Sequence, residues 1–208
     1  PIPLSKQVQM SRVGNELEKG AFHQADYVLA NQSQLFGVTS NMIPFLGNNS
    51  GNRASYATSH IEQAISLKDR DEPLVQVGTG RHDETFEGFM GKNSAQRAAV
   101  SGTVMGVTKS AISIKDKDGK THKVGLYNNF PLNDQKAVLD STPSVKVGQK
   151  VEAGSVVADN NFTKNGKLAL GANLRVAYVP FKGYNFEDGV VISESAAEKM
   201  TSIHLHKP

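Results

Sequence analysis

The chain contains 208 residues, of which 38% are hydrophobic, and its formal net charge is +3 at pH 7. This length suffices for one large domain or two small ones, and the small positive charge permits a polyanionic partner without demanding one. The absence of cysteine excludes a disulfide framework and a cysteine-ligated zinc site. No apolar run approaches the roughly 18 residues of a membrane span, and no charged-then-apolar leader opens the chain. A cytoplasmic protein without a membrane partner is therefore expected.

The first third of the chain is expected to contain a poorly assigned segment followed by a helix. Residues 1–40 show no clear period and are expected to be mostly loop with some local structure. Residues 47–51 offer good helix-capping chemistry. Apolar residues then recur at spacings of three and four over residues 52–67, which predicts a helix within a region of residues 41–72.

From residue 73 onward, the pattern indicates short strands separated by glycine turns. Alternating apolar residues, glycine-separated valines and the hairpin signal Asp118-Gly119 carry this prediction. Residues 81–94 are charged, lack a period and are expected to be a loop. The sequence therefore predicts a mainly β fold with some helix. The predicted elements are strands at 74–77, 98–107, 111–114, 122–127 and 190–192, two strands within 144–158, and a helical turn or two at 195–200.

An arginine lies at the start of the predicted helix. Asn52 and Arg53 occupy its first turn, where free backbone N–H groups attract an anion. The positive end of the helix dipole makes a cation unfavourable there unless an anion is bound, and a planar guanidinium suits a phosphate. The alternative interpretation is an ordinary capped helix with one exposed arginine, which a short motif leaves open.

Two adjacent acids, Glu187 and Asp188, end the motif Gly-Tyr-Asn-Phe-Glu-Asp at residues 183–188. Neighbouring side chains on a strand point to opposite faces, so one carboxylate can face a metal-bearing pocket while the other fixes the fold. Mg²⁺ suits such a site because it keeps several waters and uses few carboxylates together with substrate phosphates. Two solvated turn acids are the alternative.

In their order and spacing, these motifs resemble the β subunit of bacterial-type multisubunit RNA polymerases over about residues 40–207. Residues 43–54 are similar to the family pattern Ile-Pro-Phe-Leu-x-x-x-x-x-Asn-Arg-Ala, and residues 166–178 to Gly-Glu-Leu-Ala-Leu-Gly-x-Asn-x-x-Val-Ala-Phe. The acidic motif is similar to the family's active-site strand. Residues 81–94 have no counterpart in the family pattern and are interpreted as a loop insertion.

The resemblance implies an interior portion of the β subunit, from just before the fork-proximal helix to just before the flap. A natural split subunit and an excised piece both fit, from a divergent and perhaps phage-encoded source. The implied fold is a barrel-sandwich element plus part of a double-psi β-barrel. On this reading residues 41–72 are the fork-proximal helical segment and residues 73–208 the β-rich region of the active-site domain.

The implied reaction is DNA-directed transfer of a nucleotidyl group from an NTP to RNA, with two Mg²⁺ ions. The resemblance makes Arg53 the triphosphate clamp, places Asn52 beside the nucleotide sugar and gives Gln63 a supporting polar contact. Glu187 and Asp188 would act indirectly near the second Mg²⁺. The β′ subunit would hold the first ion, so the chain would be inactive alone. The remaining β segments, the α subunits, a sigma-type factor, the DNA template and RNA are the other implied partners.

Two alternatives from other classes remain open. One is a non-catalytic β-barrel assembly module, in which the paired acids are structural. The other is a lipoyl or biotinyl carrier domain, because such domains share the strand–glycine rhythm of residues 145–158. A carrier needs a modifiable lysine at a hairpin tip between acidic or methionine neighbours, and neither Lys146 nor Lys150 is framed in this way.

Overall fold

A computed structural model of the chain describes residues 7–11, 16–28, 32–81, 83–132 and 137–206. The chain divides into two units, Pro1–Gly37 and Val38–Pro208. Parts of the predicted regions lie outside the described residues: 1–6, 12–15 and 29–31 of the N-terminal segment, His82 of the predicted loop, and Lys207 at the end of the resemblance.

The N-terminal unit contains an antiparallel hairpin. Strand β1 (Gln7–Ser11) pairs with β2 (Leu17–Ala21), in a register that sets each strand's first residue opposite the other's last. Two short 3₁₀ turns follow, at Phe22–Gln24 and Gln32–Leu35. The hairpin was missed in the sequence, although β1 alternates polar and apolar residues, which is the usual signal for a strand.

The second unit begins with helices and continues as short strands. Its helices are α1 (Val38–Asn41), α2 (Gly51–Glu62), α3 (Phe86–Ser94) and α4 (Glu194–Lys199), with a 3₁₀ turn at Leu46–Asn48. Its strands are β3 (Gln96–Arg97), β4 (Gly102–Val107), β5 (Ala111–Lys115), β6 (Thr121–Gly125), β7 (Phe130–Pro131), β8 (Val138–Leu139), β9 (Ser141–Pro143), β10 (Lys150–Val151), β11 (Val156–Asn160), β12 (Thr163–Lys164) and β13 (Lys167–Leu168). Among the described residues, no helix combines the length and the apolar character needed to cross a bilayer.

Most of these strands belong to two antiparallel sheets. One has the order β10–β4–β5–β6 and the other β3–β11–β9, while β12–β13 and β7–β8 form separate pairs. Strands β5 and β6 pair with Ile112 opposite Val124 and with Lys115 opposite Thr121. Their connection contains the predicted Asp118-Gly119 turn, in which Gly119 takes the left-handed conformation (φ +81°) that a glycine adopts without strain.

One apolar cluster joins the two sheets. Ile112 and Ile114 on β5, Val104 on β4 and Val157 on β11 are all fully buried. Because successive strand residues face opposite sides, the alternation along β5 directs both isoleucines into the cluster and leaves Lys115 exposed. The mainly β fold with some helix is therefore confirmed. The other buried members of the cluster are Ala98, Val145, Val151 and Ala158.

Two predicted strands and the predicted end of helix α2 differ from the structure. Residues 74–77 and 190–192 lie outside the sheets, with Leu74 86% and Val190 80% exposed. Branched residues favour a strand chiefly where neighbouring side chains can pack against them, so the apolar pattern alone was insufficient. Helix α2 ends at Glu62 and does not continue to residue 67.

The predicted loop at residues 81–94 is wrong over its second half, which forms α3. Thr85 caps this helix, because its hydroxyl accepts the backbone N–H of Gly88 at 3.1 Å. Gly91 packs so closely on the hairpin of β12 and β13 that a Cβ atom there would collide with the carbonyl oxygen of Gly166. Capping and close packing therefore stabilise a helix in a stretch without apolar periodicity.

The buried cluster predicts a large loss of stability for Ile112→Ala. Removing these buried carbons should lower the free energy of unfolding by about 2–5 kcal/mol, from lost apolar burial and the cavity left behind. The measurement is urea denaturation of the purified chain. Met105→Ala, on the neighbouring strand and 54% exposed in the parent chain, is the control and should change the free energy by about 0.5 kcal/mol or less. Equal losses for the two variants would contradict the assignment of the core.

Candidate functional site

The start of α2 presents a cation at a helix N-terminus. Ser50 caps the helix: its hydroxyl accepts the backbone N–H of Arg53 at 3.4 Å. Asn52 and Arg53 are exposed in the first turn. Within the described part of the chain, the Arg53 guanidinium makes no ion pair or hydrogen bond. Its charge and the free N–H groups of the first turn are both available to an external anion.

Gln63 lies at the other end of the same helix. It is the C-terminal capping residue, and its backbone N–H donates to Ser59. At 1.5 Å per residue, the axial separation between Arg53 and Gln63 is about 15 Å. The structure therefore brings Asn52 and Arg53 together but places Gln63 apart from them, so the three side chains do not form one compact cluster.

Glu187 and Asp188 belong to an exposed loop at residues 179–189, which we call the acidic loop. The expectation that they lie on a strand is wrong, because the segment forms successive turns. Glu187 has a left-handed backbone conformation (φ +53°) that a strand would not allow. The two carboxylates are nevertheless both solvent-accessible, as contact with a charged ligand requires.

Asn185 holds the acidic loop in shape. Its side-chain oxygen accepts the backbone N–H of Phe181 at 2.8 Å, and its amide nitrogen donates to the carbonyl of Val179 at 2.7 Å. The backbone N–H of Gly189 donates to the carbonyl of Phe186 and closes the loop. A Cβ atom at this position would crowd the backbone oxygens of Tyr184 and Phe186. The sequence analysis assigned Asn185 no role, although asparagine commonly bonds nearby backbone groups in turns.

The acidic loop lies within a longer exposed segment, which we define as residues 174–198. Hydrogen bonds made by residues 174–192 all join residues of the acidic loop to one another, across the described residues. Apolar side chains here have unusually high exposure, including Tyr178 at 98%. A concentration of exposed apolar side chains of this kind often marks an interaction site. The exposed apolar residues are Leu174, Val176, Tyr178, Val179, Phe181, Tyr184, Phe186, Val190, Val191 and Ile192.

The donor set of the acidic loop is small. In the described ranges, no group of three or more His, Cys, Asp or Glu side chains is placed to hold a metal ion. Two neighbouring carboxylates without further protein ligands fit Mg²⁺, which retains waters and shares its coordination with substrate phosphates. Glu187 and Asp188 are the residues that could contribute to such a site.

A cavity of about 280 Å³ lies elsewhere in the second unit. Its walls are largely apolar, with Met42, Ile61 and Leu170 among them, and the acids Asp71 and Glu87 also contribute. The Glu87 side chain is buried and accepts the backbone N–H of Val77 at 3.2 Å. The five predicted site residues do not line this cavity.

Asp71 was not among the predicted site residues, although its carboxylate joins three parts of the chain. One oxygen accepts the backbone N–H of Asn173 at 3.0 Å and the ammonium of Lys199 at 2.6 Å. The other oxygen accepts Lys164 at 3.2 Å. The hydrogen bond from Lys199, followed by that from Asn173, lowers the pKa of Asp71 to about 2. No short motif marks this residue, because its partners lie about a hundred residues away in the sequence.

The comparisons with known proteins agree with the resemblance. The family described as RNA polymerase Rpb2, domain 6, matches residues 86–207, a region that includes α3, β3–β13 and the acidic loop. The DNA-directed RNA polymerase subunit beta of Prochlorococcus marinus strain MIT 9301 is 35% identical over 200 residues, covering 94% of this chain and 18% of that protein. The subunits of Rubrobacter xylanophilus and Syntrophomonas wolfei are 35% and 36% identical over 93% and 89% of this chain.

The chain spans less than a fifth of the length of these relatives, since it covers 16–18% of each. The similarity extends further toward the N-terminus than expected, because residues 40–207 alone are too few to make up 94% of the chain. The family match also begins at Phe86, inside the stretch interpreted as an insertion. Residues 86–94 form a helix, so their interpretation as a loop is wrong, whereas the interpretation of residues 81–94 as an insertion stays a prediction.

The low pKa of Asp71 predicts a pH-dependent contribution to stability. A carboxyl whose pKa falls on folding stabilises the folded state above its ordinary pKa, and this contribution is lost as the pH falls through the folded value. The free energy of unfolding should therefore be higher for the parent chain than for Asp71→Asn at pH 6. This difference should shrink below about pH 4 and be nearly lost at about pH 2. Urea denaturation across this range provides the measurement.

The control for this pH series is Glu152→Gln, because Glu152 is exposed and its carboxylate has no ion pair among the described residues. The free energy of unfolding of Glu152→Gln should stay close to that of the parent chain at every pH. An Asp71→Asn difference that stays constant down to pH 2 would show that the carboxylate is not held in its charged form.

Proposed function

Because the chain belongs to the RNA polymerase Rpb2 domain 6 family, which includes the β subunits of bacterial DNA-directed RNA polymerases, we propose that it forms part of a polymerase catalytic core. In this role it positions the incoming NTP for nucleotidyl transfer onto RNA, in the cytoplasm of a bacterial or infected cell. Its proposed partners are a β′ subunit, the remaining β segments, α subunits and a sigma-type factor, together with the DNA template.

The observation that carries this proposal is the Arg53 guanidinium at the start of α2. It is exposed, and no carboxylate in the described residues pairs with it. An arginine opposes the helix dipole at this position, so the arrangement is more favourable when an anion is bound. We propose that Arg53 binds the triphosphate of the NTP through charge-assisted hydrogen bonds.

The other polar residues of α2 take different positions in this proposal. Asn52 adjoins Arg53 in the first turn and is exposed, so it can reach the sugar of the same nucleotide. Gln63 lies about 15 Å farther along the axis. Its supporting contact would therefore be made to a different part of the substrate or nucleic acid from the phosphates bound by Arg53.

Glu187 and Asp188 are proposed to act on the metal side of the same reaction. Mg²⁺ bound with the triphosphate neutralises phosphate charge and stabilises the departing pyrophosphate. The two carboxylates would accept hydrogen bonds from metal-bound waters and orient them, while a partner subunit holds the first ion. The hydrogen bonds of Asn185 support this role, because they fix the loop before any ligand is present.

The exposed segment supports a proposal about architecture. We propose that its apolar residues form part of a double-psi β-barrel completed by strands from outside this chain. Burial of Tyr178, Val190 and their neighbours against such strands would remove a large apolar area from water. The proposed regions are then a helical segment at residues 41–72 and a β-rich active-site region at residues 73–208.

The same exposed segment favours one alternative, a non-catalytic assembly module that docks through this surface. In that case Glu187 and Asp188 would serve only the shape of the loop, and nucleotide kinetics would not depend on them. The carrier-domain alternative has less support, because residues 145–158 lie within the region matched by the polymerase family.

The proposed triphosphate contact predicts a specific kinetic defect for Arg53→Ala in the assembled polymerase. Loss of a charge-assisted hydrogen bond worth about 1.5–3 kcal/mol should raise the KM for NTP about 10- to 100-fold. Steady-state transcription at varied NTP concentration provides the measurement. Arg53→Lys, which keeps the charge but loses the planar fork, should fall between the parent and the alanine variant.

Arg81→Ala is the matched control, because Arg81 is exposed and lies outside the candidate site. It should leave the KM unchanged. An unchanged KM in Arg53→Ala, in a polymerase that still assembles, would contradict the triphosphate contact and favour the assembly module.

The proposed role of the acids predicts a greater Mg²⁺ requirement in Glu187→Gln and Asp188→Asn. Loss of a residue that orients metal-bound groups typically weakens metal affinity 10- to 100-fold, so the Mg²⁺ concentration for half-maximal rate should rise by about tenfold or more. Initial rates across a Mg²⁺ titration provide the measurement. Glu194→Gln, which changes a nearby exposed acid at the start of α4, should behave as the parent does. A normal Mg²⁺ requirement in both loop variants would exclude this role.

A further inference from the structure

Both ends of the exposed segment are attached to the same carboxylate. Asn173 immediately precedes the segment and Lys199 immediately follows it. The backbone N–H of Asn173 and the ammonium of Lys199 donate to one oxygen of Asp71, at 3.0 and 2.6 Å. Lys199 also donates to the carbonyl of Asn173 at 2.9 Å, so the two ends bond directly to each other as well. These three residues form what we call the neck of the segment.

The neck is anchored to the body of the second unit. The backbone N–H of Asp71 donates to the carbonyl of Gly171 at 2.8 Å, and its second carboxylate oxygen accepts Lys164 from β12 at 3.2 Å. The side chain of Asn173 donates to the carbonyl of Glu72 at 2.7 Å. The Asp71 side chain is only 22% exposed, so solvent competes weakly for its oxygens.

A backbone contact beside the neck uses the same short stretch of chain. Lys68 donates to the carbonyl of Thr201 at 2.8 Å, and Ile203 donates to the carbonyl of Ser66 at 2.9 Å. Apart from the bond between Lys199 and Asn173, the hydrogen bonds described here that attach the two ends to the rest of the unit fall on residues 66–72, the stretch that follows α2. Among the described residues, the exposed segment makes no hydrogen bond to any residue that precedes it in the sequence.

We propose that Asp71 is a positioning residue for Glu187 and Asp188: by closing the neck, it fixes where the exposed segment leaves and rejoins the body. This inference rests on the proposed role of the two acids. Asp71 itself touches neither substrate nor metal. Residues 66–72 follow α2 closely in the sequence. The attachment at Asp71 therefore connects the segment that contains the acidic loop to the part of the chain that contains Arg53.

Replacement by asparagine should open the neck without removing any bulk. The amide would offer one acceptor oxygen to three donors, from Asn173, Lys199 and Lys164, and its own N–H groups would face cations. Glu72→Gln is the matched control. Glu72 is the adjacent acid, but its carboxylate pairs with Asn165 and Lys167 of the neighbouring hairpin and not with either end of the segment.

The experiment compares the assembled polymerase carrying Asp71→Asn with the Glu72→Gln and parent enzymes. Hydrogen exchange, read by mass spectrometry, should become about tenfold faster or more over residues 174–198 and remain unchanged in β4–β6. The Mg²⁺ concentration for half-maximal rate should rise several-fold, with kcat at saturating Mg²⁺ largely retained. The control should show neither change.

Lys199→Met provides a second variant that leaves the Asp71 carboxylate and its other bonds in place. Lys199→Met should also accelerate hydrogen exchange over residues 174–198, but by a smaller factor than Asp71→Asn. Combined with Asp71→Asn, its effect should be less than additive, because both substitutions break the bond between Asp71 and Lys199. This variant keeps the inference testable if Asp71→Asn fails to assemble.

Unchanged exchange over residues 174–198 in both variants overturns the inference, as does an increase that extends equally into β4–β6. A normal Mg²⁺ requirement in Asp71→Asn, with Glu187→Gln impaired, also overturns it while leaving the proposed function intact. If Glu187→Gln and Asp188→Asn themselves have a normal Mg²⁺ requirement, the proposed function of the acids fails, and with it the positioning role of Asp71.

Discussion

A single carboxylate, that of Asp71, joins three parts of the chain that lie far apart in sequence. Its three donors come from β12, from the start of the exposed segment and from its end. Each ion pair is partly exposed, with Lys164 46% and Lys199 37% accessible, and isolated pairs of this kind contribute little stability. The contribution of these ion pairs is to orient the groups that they join. Charge-assisted hydrogen bonds fix angles as well as distances, which apolar contacts between small surfaces do not.

The buried core and the candidate site residues lie on different elements of the structure. The buried cluster around Ile112 and Val157 belongs to the two sheets, whereas Arg53, Glu187 and Asp188 lie on exposed elements outside it. Functional side chains on surface elements positioned by a rigid scaffold are a common arrangement, because they can contact a ligand without disturbing the core. The exposed apolar segment adds a second consequence: this surface is costly in water and is stabilised when a partner covers it.

Local signals in the sequence predicted the elements that depend on neighbouring residues. Ile112 and Ile114 alternate, Asp118-Gly119 forms the turn, and Ser50, within the predicted capping stretch, caps α2. Residues 74–77 and 190–192 have the composition of strands but pair with no strand among the described residues, and composition alone does not supply a partner.

The residues of the candidate site that belong to short motifs were predictable from the sequence. Arg53, Glu187 and Asp188 were found by resemblance to a family pattern, and the similarity of the whole chain to that family is confirmed. Their catalytic roles remain predictions. The left-handed conformation of Glu187 and the network around Asp71 were not predictable, because they depend on tertiary contacts between residues far apart in sequence.

The contact between Gly91 and Gly166 restricts how this family member can vary. An α-helix turns by about 100° per residue, so one residue inserted before Gly91 within α3 would rotate the glycine away and present a side chain to the hairpin backbone. The amide of Asn160, which donates to the carbonyl of Ser94 at 2.9 Å, would lose its partner in the same shift. A change of length within α3 ahead of Gly91 is therefore costly, because the position that faces Gly166 has no room for a Cβ atom.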